Sequence, residues 1–245
     1  MSDPVHLIKK LNSSLDKSAR CDDEAEKHTT RSIVKWEAIE GEEELMECPL
    51  SLRQMEHVWI ERSKSNHGTL GLSYDRKYTL EHFRPTSASR MRVRPAAQNL
   101  SATMARWLGD DIAKGHTFNT ALKKYCELCN EYFDIMNGKL GAVYGPSDPK
   151  LTKLIAFARW FEDWKHDLPK RGLSKKEQAA SFITRECYDD LRMAVHGFVC
   201  MVKYYSAAGM PAENLRILPQ GQFVHYYYMF PSCNMPPPLD RDLFL

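Results

Sequence analysis

From Pro49 onward the apolar residues recur at spacings of three and four. Leu52, Met55, Val58 and Trp59 fall on one face, and the glycines and polar residues of SKSNHGTLGLS end the run. Pro95 suits a first helical position, where its missing N–H costs nothing, and Ala97, Leu100, Met104, Trp107 and Leu108 then form one stripe. HTFNTALKKYCELCNEYFDIMNGK repeats the pattern with Phe118, Leu122, Tyr125, Cys129, Tyr132, Phe133 and Met136, and Gly138 stands where a C-terminal cap belongs. Asp148 as N-cap and Pro149 at the first position open a helix that packs Leu151, Leu154, Ile155, Ala158 and Phe161. Ser174 and Glu177 make a capping-box pair, and Thr184 restarts a helix whose stripe runs from Tyr188 through Leu191, Val195, Phe198, Val199 and Val202 to Gly209 and Pro211. The pattern predicts a mainly α fold, a helical array.

The two ends break this rhythm. After a short apolar-basic opening, KSARCDDEAEKHTTR is too charged to pack and reads as a connector. RSIVKWEAIEG is read as a short helix carrying Ile33, Val34, Trp36 and Ile39, and EGEEELMEC as a solvated acidic bend. Near the other end NLRILPQGQFVHYYYMFP is aromatic and branched, which favours an extended segment, and NMPPPLDRDLFL cannot hold regular structure through three prolines. Phe223 to Phe230 carries no Lys, Glu or Asp, so an unpaired strand there predicts self-association through the C-terminal segment.

Length and composition narrow the class. The 245 residues, 43% of them hydrophobic, suffice for a real core. Lys+Arg 34 against Asp+Glu 32 leaves a net charge of +2, so no bulk field points to nucleic acid or an anionic membrane. No window approaches the ~18 apolar residues of a membrane span, which predicts an intracellular protein, nuclear or cytoplasmic, with no membrane partner. Seven scattered cysteines are expected to be free thiols.

Candidate chemistry is sparse. Cys126 and Cys129 form a lone C-x-x-C without the second pair of ligands a structural zinc needs, so they read either as ordinary residues of an amphipathic helix or as a metal or redox pair. Neither glycine-rich phosphate loop occurs, and no histidine stands in a nucleophile signature. Arg90, Arg92 and Arg94 precede a predicted helix start, where unpaired N–H groups favour an anion, and in an extended approach they would share one side. They read as a phosphate grip or as a solvated basic rim.

LEHFRPTSASRMRVRPAAQNLSATMARWL together with NEYFDIMNGK resembles the middle of P-element-type transposases, the group that includes THAP-domain transposases. The similarity covers about residues 3 to 225. It rests on a Met-x-Val-x-x-Ala-Ala-Gln-x-x-Ser segment, Met91 to Ser101, and a Phe-Asp-hydrophobic-hydrophobic-Asn segment, Phe133 to Asn137. In that family these segments belong to a helical insertion associated with GTP binding, set inside a catalytic domain of the RNase H type. The resemblance implies residues 1–30 as a remnant of the RNase H-like domain with a connector, 31–215 as the helical GTP-binding-type insertion, and 216–245 as a divergent extended tail. It also implies GTP and Mg2+ as ligands, with Arg90, Arg92 and Arg94 as the phosphate candidates.

For catalysis, DPVHLIKKL resembles the segment whose aspartate is one metal-binding carboxylate of the transposase centre, which here is Asp3. Its partner aspartate belongs upstream of the start of this chain. Where the family's later acids fall, LPQGQFVHYYYMF places Tyr226 and Met229. Two-metal chemistry needs several carboxylates converging on ions about 4 Å apart. The resemblance therefore implies a truncated transposase derivative that keeps the GTP-binding-type insertion and is not an enzyme, with DNA a partner only of full-length relatives. The alternative is a helical protein-interaction module, a domesticated or decaying fragment without a ligand.

Overall fold

The computed structural model describes residues 4–19, 33–38, 45–65, 77–140, 143 and 145–209. Asp3, Tyr226, Met229, the segment Phe223 to Phe230 and the whole of 216–245 lie outside the described residues. The described part is mainly helical, with one two-stranded sheet. None of its helices is long and apolar enough to cross a membrane.

At the centre lies α6, Thr120–Met136, which buries Leu122, Tyr125, Cys126, Cys129 and Tyr132. Around it stand α5 (Ala102–Ile112), α7 (Pro149–Asp167), α1 (Pro4–Ala19) and a hairpin of β1 (Val34–Ala38) and β2 (Leu45–Pro49). The helices α2 (Leu52–Ser65), α3 (Leu80–Phe83), α4 (Val93–Asn99), α8 (Lys175–Ala180) and α9 (Arg185–Ala207) complete the array. Burial follows the expected stripes: Leu52, Met55 and Val58 on α2, Leu151, Leu154, Ala158 and Phe161 on α7, and Leu191, Val195, Val199 and Val202 on α9.

Local chemistry sets the helix ends. Asp148 accepts from the Lys150 N–H at 2.9 Å with Pro149 at the first turn, Ser174 and Glu177 close a reciprocal capping box, and Thr184 accepts from the Cys187 N–H at 3.2 Å. Gly138, with φ 69°, takes the left-handed conformation that ends α6.

Three sequence expectations are corrected. Residues 34–38 form a strand, not a helix. A five-residue run is too short for its period to decide, and β2 supplies the partner, with Val34 opposite Pro49 and Ala38 opposite Leu45. The expected bend thus ends in a strand at Leu45–Pro49. Secondly, the stripe from Ala97 to Leu108 belongs to two helices. Leu100 leaves the helical region at φ −93°, ψ 39°, and Ser101 caps α5 by accepting from the Met104 N–H. The first of the two begins at Val93, so Pro95 sits inside its first turn, where an N–H is still unneeded. Thirdly, Phe118 lies in a 3-10 turn before α6 and is 39% exposed, off the buried face expected for it.

The described part of the 1–30 segment is α1, and it is no appendage. Leu7, Ile8, Leu11 and Leu15 are fully buried in the same hydrophobic cluster as α6 and α9. Polar contacts reinforce this: the Lys10 ammonium pairs with Asp190 of α9, and the Tyr125 hydroxyl donates to the Leu11 carbonyl at 3.2 Å.

Candidate functional site

The three arginines take three different local conformations. Arg90 lies in a 3-10 turn, Ser89–Met91, and its Nε donates at 3.0 Å to Asp16 of α1, a carboxylate only 6% exposed. Arg92 is the extended residue before α4, with Nη1 3.8 Å from the Glu81 carboxylate, and Arg94 is exposed within α4. The extended approach expected for them is therefore absent, since turn, cap and helix each redirect the side chain. Arg90 serves as a clamp between the turn and α1.

The segments that carry the family resemblance hold helices together. Asn99, fully buried, donates from Nδ2 to the Asn12 side chain at 3.0 Å and to the His82 carbonyl at 2.7 Å, tying the α4–α5 break to α1 and α3. Gln98 Oε1 lies 3.0 Å from His82 Nε2. Asn130 accepts from the Ala102 N–H at the start of α5 and donates to Asp134, which also binds the Lys139 ammonium at 3.0 Å. Asn137 donates back to the Phe133 carbonyl.

Cys126 and Cys129 are ordinary core residues in position. Both are fully buried, as is Cys48, and no disulfide links the five described cysteines; Cys21 and Cys233 lie outside the described residues. Burial pushes the Cys126 and Cys129 thiols well up and the Cys187 thiol to about 12. Among the described residues no three His, Cys, Asp or Glu side chains converge on a possible metal position. Because the thiolate is the reactive form, a soluble thiol reagent at pH 8 should modify half-buried Cys200 in the native chain and spare Cys126, Cys129 and Cys187 until urea opens the core. Peptide mapping reads this, and early labelling of Cys126 or Cys129 would contradict the burial argument.

A cleft offers a better candidate. It is an open depression of about 690 Å3, lined by Glu37 of β1, Gly109, Ile112 and Ala113 at the end of α5, Thr120, Lys123, Lys124 and Glu127 along α6, and Trp160 of α7. Strand alternation puts Lys35 and Glu37 on one face of β1, where Lys35 bonds Glu37 at 2.7 Å and lies 4.9 Å from the centre of the Trp160 ring. Phe161 and Trp164 meet Trp160 edge-on at 5.1 and 5.6 Å, so its orientation is fixed from behind. On the opposite wall Lys123 pairs with Glu127 at 2.9 Å, one helical turn away. Lys124 is exposed and has no carboxylate partner among the described residues.

The cleft thus combines an aromatic wall, the two ammonium groups of Lys123 and Lys124 and the two carboxylates of Glu37 and Glu127, with Lys35 beside it on Glu37 and Trp160. None of these residues was a sequence candidate. The i,i+4 pair Lys123–Glu127 is an ordinary feature of exposed helices, and the misread strand concealed Lys35 and Glu37.

Gly109 lines the cleft from the last turn of α5. A Cβ there would meet only the flexible end of Lys123, at 3.2 Å from Cε. Gly109→Ala is expected to raise stability by about 0.5–1 kcal/mol, because glycine in a helix interior costs that much relative to alanine. A lowered urea midpoint would show that Lys123 cannot yield.

Against known proteins, no family model, no curated protein and no solved structure matches the chain.

Proposed function

We propose that this chain is a GTP-binding-type helical insertion of the P-element transposase kind, and that its nucleotide binds in the cleft between β1, α5, α6 and α7. The observation that carries the site is the joint presence of an aromatic face, lysines and carboxylates in one cavity of about 690 Å3. Cavities of this order suit nucleotide-sized ligands. The identity of the ligand comes from the family resemblance.

The chemistry divides among the walls. Trp160 stacks the base. Guanine offers two adjacent donors, its ring N–H and its amino group, to a carboxylate of Glu127 or Glu37, and adenine offers no such pair on that edge. Carboxylate engagement frees the partner lysine, so Lys123 or Lys35 joins Lys124 in meeting phosphate. Charge is exchanged between pairs instead of being created. Mg2+ enters with the phosphates, as it does where substrate oxygens complete its shell. The role is binding, with no strand-cleaving chemistry assigned to the chain.

Calorimetry with Mg-GTP tests this. GTP should bind and raise the melting temperature, ATP should do so less, and at one hundred times the dissociation constant the gain is about 2.7 kcal/mol. A Lys123→Gln, Lys124→Gln double variant should bind at least about tenfold more weakly, from the loss of charge-assisted bonds of about 1.5–3 kcal/mol each. An Arg92→Gln, Arg94→Gln double variant should bind as well as the parent. The reverse outcome would move the phosphates to the α4 approach. No heat with millimolar GTP would favour the helical interaction module.

A further inference from the structure

We propose that Ser87 is a phosphorylation site for an arginine-directed serine/threonine kinase, a reading independent of the nucleotide site. The sequence contains Arg-x-x-Ser three times, at Arg62–Ser65, Arg84–Ser87 and Arg171–Ser174. Such kinases bind their substrate in an extended form along an acidic groove, so the fold decides which serine can be reached.

The structure separates the three. Ser65 is the last residue of α2, and its Arg62 is held within the helix and paired with Asp110 at 2.9 Å, so this stretch is not extended. Ser174 spends its hydroxyl on the capping box of α8, accepting from the Glu177 N–H. Ser87 lies in the exposed run Thr86–Ala88 between α3 and the following 3-10 turn, and its hydroxyl has no partner among the described residues. Arg84, three residues before it, has a 64% exposed side chain. Pro85 has no backbone N–H and those of Thr86, Ser87 and Ala88 donate no hydrogen bond among the described residues, while the turn is held by the Arg90 N–H and the Ser89 N–H and hydroxyl donating to Thr86. Presenting it breaks these bonds to Thr86 and the Arg84–Glu56 pair.

Charge favours the same partner. RPTSASRMRVR, residues 84–94, carries four arginines and no acid, which suits an acidic groove. The kinase transfers the γ-phosphoryl group of ATP: the Ser87 oxygen forms the new P–O bond, the bond to the β-phosphate bridging oxygen breaks, the hydroxyl proton passes to the kinase base, and ADP leaves. The product places about −1.5 to −2 charges beside Arg84 and Arg90, which otherwise clamp the buried carboxylates Glu56 and Asp16.

The test treats the folded 245-residue chain with a constitutively active Arg-x-x-Ser kinase and ATP, and maps the label by peptide mass spectrometry. Synthetic peptides around Ser65, Ser87 and Ser174 run beside it. All three peptides should be labelled, but in the folded chain only Ser87 should be. Ser87→Ala should lose the label and Arg84→Lys most of it, while Glu56→Gln, which leaves Arg84 in place, should keep it. Equal labelling of Ser174 in the folded chain, label persisting in Ser87→Ala, or a chain left unlabelled at Ser87 would each overturn the proposal.

Discussion

Replacing Trp164 by alanine is expected to cost the fold about 3–5 kcal/mol, the range for removing a buried tryptophan and a large share of the roughly 5–15 kcal/mol of a typical domain. The residue is 2% exposed in α7, meets Phe182 edge-on at 5.0 Å and supports Trp160 at 5.6 Å. Its indole N–H also donates at 3.2 Å to the carbonyl of Val34, the first residue of β1. The isolated two-stranded hairpin is marginal by itself, so this contact and the burial of Cys48 hold it on the helices. Trp164→Phe separates the two contributions. It keeps much of the ring contact and orphans one carbonyl, for an expected loss of about 1–3 kcal/mol. Urea midpoints for both variants give the numbers, and equal losses would mean that the hydrogen bond, not packing, dominates. Since β1 carries Glu37 to the cleft and Lys35 beside it, the nucleotide binding proposed for the cleft should weaken in Trp164→Phe without any change to a residue that lines it.

What was legible in the sequence was local. Helices α6, α7 and α9 follow from stripes of three and four, and the starts of α7, α8 and α9 from the caps Asp148, Ser174 and Thr184, whose partners lie within three residues. The break at Leu100 was not, because the apolar stripe continues across it and hides the cap Ser101, while Asn99 is tied to α1 and α3, which are distant in sequence. The strand β1 was misread because its partner β2 and its anchor Trp164 are distant in sequence. For the site the gap is wider. The spacing of Arg90 leaves a phosphate grip and a solvated rim both open, and its actual partner, Asp16, lies 74 residues earlier. The cleft joins four elements, and no residue in it belongs to a motif, so no spacing could announce it.

Asp111→Ala is expected to cost about 2–3 kcal/mol, although it removes no apolar contact. The carboxylate is 5% exposed near the end of α5 and accepts from Asn119 Nδ2 at 2.7 Å and from His116 Nδ1 at 2.9 Å. These bonds fix the loop that leads from α5 into α6. His116, with a 45% exposed side chain, can turn to water when its partner is removed. Asn119 is 1% exposed and its Oδ1 already lacks a partner, so losing Asp111 strands both ends of its amide. An unsatisfied buried donor costs about 1–3 kcal/mol, and bonds to a charged acceptor lie in the upper part of that scale. A cycle with Asn119→Ala makes the argument testable. If the cost lies in the stranded amide, the double variant should lose at least about 1 kcal/mol less than the sum of the singles, since the second change removes the group left unpaired by the first. Asp111→Asn should fall between, keeping one acceptor for Asn119. Additive losses, or a loss in Asp111→Ala below about 0.5 kcal/mol as at ordinary surface positions, would show that the loop is held by its backbone bonds alone.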